Sequence, residues 1–113
     1  MKIKQLDLWL ADLNPRMGTE PGKIRPVVVV QTDLLNNIHP STLVCPLTTQ
    51  VVPEADILRI HLHKGIARLK EDCDMMMDQI RAIDNRRLVK RIGRLPASLE
   101  ESIKARIRIV FDL

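Results

Sequence analysis

Gly18-Thr-Glu-Pro-Gly-Lys-Ile-Arg-Pro26 runs directly into Val27-Val-Val-Val-Gln-Thr-Asp33. Four consecutive β-branched residues read as the interior of a strand covered on both faces. Pro26 fixes the backbone at the strand's first residue, where no ladder donor is needed. The polar, glycine-bearing loop before it delivers one arginine, Arg25, to the mouth of that strand, with Thr19 and Glu20 folding back beside it. A guanidinium held there is poised to meet an anion, which points to phosphate chemistry.

Outward from this stretch, the 113 residues make one domain with a single modest core. Eighteen basic residues against fourteen acidic give a net charge of +4, so the surface leans toward polyanions. Arg81, Arg86, Arg87, Lys90, Arg91 and Arg94 fall in one stretch that holds a single acid, Asp84. That stretch is either a solvated face or a nucleic-acid footprint, and charge alone does not choose.

Cys45 and Cys73 are far apart, with no metal-ligand spacing, and read as reduced thiols of a cytosolic protein. Asp7 and Asp12 interrupt the apolar residues near the N-terminus, so no signal peptide is expected there. No apolar run approaches the ~20 residues needed to span a membrane. The expected location is the cytoplasm, with no membrane partner.

The element pattern is mostly β. Leu6, Leu8 and Leu10 alternate with Asp7, Trp9 and Ala11 in a first strand, and Asp12-Leu-Asn-Pro15 ends it. Val27–Thr32 is the second strand, followed by a turn through Asn36-Asn-Ile-His-Pro40 that Asp33 could cap. Thr42–Leu47 and Ile57–Leu62 are the third and fourth, giving a small, curved, mostly antiparallel sheet. Met75, Met76, Met77 and Ile80 lean helical by propensity alone. Ser98-Leu-Glu-Glu101 has the form of a capping box. Leu99, Ile103, Ile107 and Val110 then share one face of a terminal helix that packs on the sheet.

His61 and His63 are expected on one face of a strand, a pairing suited to acid–base work or, with a cysteine, to a metal. No motif supports either role. His39 reads as a turn residue. With no tyrosine, one tryptophan and one phenylalanine, the chain lacks the stacking platforms of most single-strand binders. Trp9 reads as core.

Two blocks carry a resemblance: Gly22-Lys-Ile-Arg-Pro-Val-Val-Val-Val-Gln-Thr-Asp33 and Asp78-Gln-Ile-Arg-Ala-Ile-Asp84. Between them stands Pro46-Leu-Thr-Thr49. In this order and separation the chain resembles the MazF/PemK-type ribonuclease toxins of bacterial toxin–antitoxin pairs, over Leu6 to Val110. The resemblance implies an SH3-like barrel of curved antiparallel strands with a C-terminal α-helix. It makes the Met75–Ile80 segment a strand. It also implies sequence-specific cleavage of single-stranded RNA without a metal or other cofactor, a homodimer, and a cognate antitoxin with an acidic disordered tail.

On this resemblance Arg25 and Thr48 are the catalytic residues. The ribose 2′-hydroxyl attacks the adjacent phosphorus and expels the 5′-oxygen, leaving a 2′,3′-cyclic phosphate. Arg25 stabilises the phosphorane charge and is a poor base, because its pKa lies above ~12. Thr48 either holds a non-bridging oxygen or orients the nucleophile, with Thr49 its competitor. Glu20 either takes the 2′-hydroxyl proton or reads a base edge. Asn14, Thr19, Asp78, Gln79 and Arg81 complete the substrate-binding set, with Asp78 and Gln79 on a strand facing the cleft. One branch of the family uses an Arg-x-Asp on that strand. The matching positions here are Met76-Met-Asp78, so the pattern fits the branch that relies on the loop arginine and strand threonine. Two other readings share the size and fold: a CcdB-like gyrase poison, whose C-terminal Trp-Gly-Ile is absent here, and a non-catalytic RNA-binding barrel.

Overall fold

The computed structural model describes residues 2–113. The strands are β1 (Asp7–Asp12), β2 (Ile24–Val29), β3 (Ser41–Thr48), β4 (Arg59–Leu62), β5 (Cys73–Met76), β6 (Arg81–Asp84) and β7 (Leu88–Arg94), followed by helix α1 (Glu100–Phe111). All pair antiparallel, in the order β4-β5-β3-β2-β1-β7. Strand β3 is the hub. Its first half pairs with β6, its end pairs with β5, and its other edge carries β2.

The valine run explains the two-sided packing. Val27, Val28 and Val29 are all fully buried. Val28 joins a core with Leu8, Cys45, Leu47, Met75 and Met77, on which Ile103 of α1 packs together with half-buried Leu99, Ile107 and Val110. Val27 and Val29 point the other way, into a second cluster with Trp9, Ala11, Leu13, Val44 and Leu88. A strand buried on both faces keeps no polar side chain of its own, so function sits at its ends. Trp9 is core, as expected.

Several expectations need correction. The sheet is strongly curved but not closed, since β4 and β7 do not pair, so it is a barrel only in outline. Strand β2 runs Ile24–Val29 rather than Val27–Thr32: Ile24 and Arg25 continue the hairpin opposite Asp12 and Ala11, while at the far end the Val30 and Gln31 N–H groups both turn to the Leu43 carbonyl and leave the ladder. The fourth strand starts at Arg59, not Ile57. Arg106 of α1 takes the Asp56 and Arg59 carbonyls (2.9 and 3.2 Å) and holds the chain out of the ladder there. The Met75–Ile80 segment is a strand only to Met76, and Met77–Gln79 forms a 3-10 turn into β6. Ser98 does not cap the helix. It lies inside a 3-10 turn, Ala97–Leu99, closed by the Leu99 N–H to the Pro96 carbonyl at 3.1 Å. Asp33 likewise caps no helix: Oδ1 accepts from the Gln5 N–H and from Asn36 Nδ2.

The basic stretch does not form one face. Arg86 pairs with Asp84, Arg91 and Arg94 flank buried Asp7, and Arg87 donates to the Asp12 and Asn14 carbonyls. Only Lys90 of this group reaches the cleft described next.

Candidate active site

The β1–β2 loop is shaped by its own side chains. Asn14 accepts the Lys23 N–H at 2.8 Å, and its own N–H donates to Asp12 Oδ1 at 3.0 Å, which closes the loop's base. Arg16 Nε donates to the Gly18 carbonyl at 3.2 Å. Gly22 passes so near Arg16 that a Cβ there would lie 2.6 Å from the Arg16 Cβ. The close approach fixes where the Gly22 carbonyl points, and that carbonyl accepts from Arg25 Nε at 2.9 Å. Arg25 Nη1 donates to the Leu47 carbonyl at 3.0 Å.

Two of the five guanidinium donors are therefore committed to backbone, and both on Nη2 remain for a ligand. Partial burial, and after it the charge of Arg16, lowers the Arg25 pKa from its ordinary value.

The β2–β3 ladder ends at Val27 and Pro46, two residues short of Arg25 on one strand and of Thr48 on the other, and the Arg25 side chain spans that gap to the Leu47 carbonyl. The Thr48 oxygen accepts the Gln50 N–H at 3.1 Å, and its proton is free to donate. Arg25 and Thr48 open onto a cleft of about 970 Å³. Asn14, Thr19, Glu20, Thr49 and Gln79 also line it. Glu20 is exposed at the rim, where the 3-10 turn also presents Gln79. Asp78 and Arg81 do not line it: Asp78 is exposed on the turn, and Arg81 lies on β6 with Nη1 buried and unpartnered. Of the Asp78–Gln79 pair expected on a strand, both residues lie in the 3-10 turn instead and only Gln79 lines the cleft.

Other groups were not anticipated. Arg16, Arg59, Arg68 and Lys70 join Lys90 of the basic stretch in adding positive charge to the lining, and Glu71 adds an acid. Asp74 was also missed. It is fully buried beneath Thr48, its partner across the ladder, and accepts from His61 and Arg59. A single acid inside the apolar run Cys73-Asp-Met-Met-Met77 was the available signal. His63 lies past the end of β4 and is exposed, so His61 pairs with Asp74 and not with His63. Cys45 and Cys73 are free and buried. No helix among the described residues is long and apolar enough to cross a membrane.

The fold defines a small protein of curved antiparallel sheet with a C-terminal helix, and its cleft is cationic. The match that specifies the family covers residues 4–111: the chain belongs to the PemK-like, MazF-like toxins of type II toxin–antitoxin systems. It is similar to endoribonuclease EndoA of Bacillus subtilis, at 29% identity over 113 residues, covering 100% of this chain and 97% of that protein. Its fold is similar to the crystal structure of MazF from Deinococcus radiodurans (TM-score 0.85, 18% identity, 100% and 99% of the two chains). It is also similar to the Mycobacterium tuberculosis toxin MazF-mt6 (TM-score 0.79, 23% identity, 95% and 97%).

Proposed function

We propose that this toxin is an endoribonuclease that cuts single-stranded RNA at short sequence motifs and so inhibits translation. The observation that carries this reading is the Arg25 guanidinium, fixed by the Gly22 and Leu47 carbonyls and lining one cleft with Thr48. In the reaction the 2′-oxygen attacks phosphorus as its proton leaves, the P–O5′ bond breaks, and the 5′-oxygen takes up a proton. The products are a 2′,3′-cyclic phosphate and a 5′-hydroxyl. Arg25 meets the charge that grows on the non-bridging oxygens, and the Thr48 hydroxyl donates to one of them or orients the nucleophile. Glu20, on the loop that carries Arg25 and lining the same cleft, is the carboxylate assigned to take the first proton or to read a base edge. The chain's own cations supply the charge stabilisation, so no metal is required.

The test is incubation of the purified protein with a mixed-sequence RNA pool in EDTA, with the cut ends mapped. Cyclic phosphate ends at a recurring motif support the reading. Loss of cutting with chelator, or intact RNA, overturns it.

Residues 1–113 act as one toxin unit, as a homodimer whose two clefts together hold several nucleotides, in the cytoplasm. Type II toxins are held by a partner protein. An acidic, disordered antitoxin tail that folds over Arg25 and the loop before it would compete directly with RNA. Its inhibition should weaken with salt, and amide exchange across residues 14–27 should slow on binding. Light scattering that gives a monomer removes the dimer claim, and unchanged exchange removes the occlusion claim.

A further inference from the structure

Thr48 pairs with Asp74, and Asp74 pairs with His61. Cross-strand partners project from one face, so Thr48, Asp74 and His61 form a row across β3, β5 and β4, and Arg25 of β2 lines the same cleft as Thr48. Arg59, two residues before His61 on β4, shares that face. Asp74 is wholly removed from water, a position a carboxylate holds only when paired and hydrogen-bonded. Its Oδ1 accepts from His61 Nδ1 at 2.6 Å. Its Oδ2 accepts from Arg59 Nη1 at 3.1 Å and from the Val52 N–H at 2.9 Å. One carboxylate thereby fixes an edge strand, an arginine and the segment that follows Thr48.

Arg59 is held by one nitrogen only. Nη1 serves both Asp74 and the Gln50 carbonyl (3.3 Å), while Nε and Nη2 have no protein partner among the described residues. The Nε–Nη2 edge is the one that grips a phosphate with two parallel hydrogen bonds. The side chain is 21% exposed and lines the same cleft as Arg25, Thr48, Thr49 and Gln50. Three strand spacings separate β2 from β4, roughly 14 Å at the usual interval. At the side-chain level Arg25 is anchored on the Gly22 and Leu47 carbonyls and Arg59 on Asp74 and the Gln50 carbonyl, so the two guanidinium groups have separate anchors and each keeps its own free edge for an anion.

We propose that Arg59 is a second phosphate-binding arginine of this cleft, engaging a neighbouring phosphate of the same RNA strand, and that buried Asp74 is its positioning residue. The proposal rests on the reading of the cleft as an RNA-cleaving site. Arg59 acts on binding and register, not on the bond that breaks.

The experiment pairs cleavage of the mixed RNA pool with binding of a mixed-sequence 2′-O-methyl RNA pool, which cannot be cut, measured by anisotropy across a salt series. Arg59→Gln should weaken binding roughly ten- to hundredfold, as expected for charge-assisted hydrogen bonds. It should also lower the slope of log K against log salt by about 0.7, one single-strand phosphate contact. KM should rise while kcat stays within about twofold. Arg59→Lys keeps a cation beside Asp74 but offers no fork, so it should retain the salt slope and still raise KM. Asp74→Asn should raise KM with the slope retained, since the arginine is present but unmoored. If Arg59→Gln fails to fold, Arg59→Lys decides: a raised KM supports the proposal and a wild-type KM overturns it. A folded Arg59→Gln protein with wild-type affinity and slope also overturns it. Failure of the wild-type protein to cut RNA at all would instead bring down the proposed function, which keeps the two failures distinct.

Discussion

Arg25 reaches across from β2 to the Leu47 carbonyl of β3 at 3.0 Å, the peptide immediately before Thr48. Arginine and threonine are thus positioned by one backbone bond, and a change at either end is felt at the other. Arg25→Ala should remove about 3–4 kcal/mol of transition-state stabilisation, a loss of ~10²–10³ in kcat, with the fold kept. Single-turnover cleavage alongside a thermal melt checks this. Near-full activity in a folded Arg25→Ala protein would remove Arg25 from the mechanism.

In the proposed mechanism the nucleophile belongs to the substrate. Replacing the ribose at the mapped cut site with deoxyribose should abolish cutting and leave affinity nearly unchanged, because the phosphate contacts survive. Parallel cleavage and anisotropy assays on the two oligonucleotides read this directly. Cleavage of the deoxy substrate would require an activated water.

Gly22→Ala should act through Arg25. The new methyl would meet the Arg16 Cβ at 2.6 Å, so the loop must shift and carry the Gly22 carbonyl away from Arg25 Nε. Overpacking of this kind costs about 1–3 kcal/mol of stability, and a misplacement near 1 Å can cost about 10² in rate. A denaturation midpoint and kcat measured together should show both losses.

The two thiols should be silent in the native protein. Burial first, and the nearby Asp78 charge second, push the Cys45 pKa up. Burial and then Glu71 do the same to Cys73. Thiolate is the reactive form, so a disulfide reagent at mildly alkaline pH should label neither until denaturant unfolds the chain. Rapid labelling of the folded protein would contradict the packing described.

Asp84 gives a pH dependence of known sign. The side-chain hydrogen bond from Arg86, and then the Arg86 N–H, lower its pKa to about 2. A carboxylate depressed on folding adds stability above its unfolded value of about 3.9 and loses it as pH falls toward 2. The pair is solvent-exposed, so the effect is small. Urea midpoints should fall across that window, and Asp84→Asn should flatten the fall. An unchanged profile in the variant would show that Asp84 contributes nothing.

Local features were the legible ones. The Arg25-Pro26-Val27 junction, the two-sided burial of the valines and the apolar face of α1 follow from neighbours in sequence, and the structure has them. The site was only partly readable, because its geometry depends on pairings between distant segments. Asp74 matters because β5 happens to lie between β3 and β4, and Arg59 because β4 is the strand beyond. No spacing in the chain encodes either fact. His61 and His63 misled for the same reason, since their shared face exists only if the strand continues past Leu62. Ser98 had the right composition for a cap, but Pro96 supplied a backbone acceptor first, and local competition of this kind is invisible to a motif.

The cleft also has a history in time. Arg25 and Thr48 leave the ribosome early, yet the opposite wall includes Lys90 and Ile92 of β7, which pairs with β1, the first strand made. Ile103 of the terminal helix closes the core beneath Leu8 and Val28 later still. A nascent chain therefore carries Arg25 for most of its synthesis before β7 and α1 exist, and the cleft is assembled only when the last strand and the helix are made.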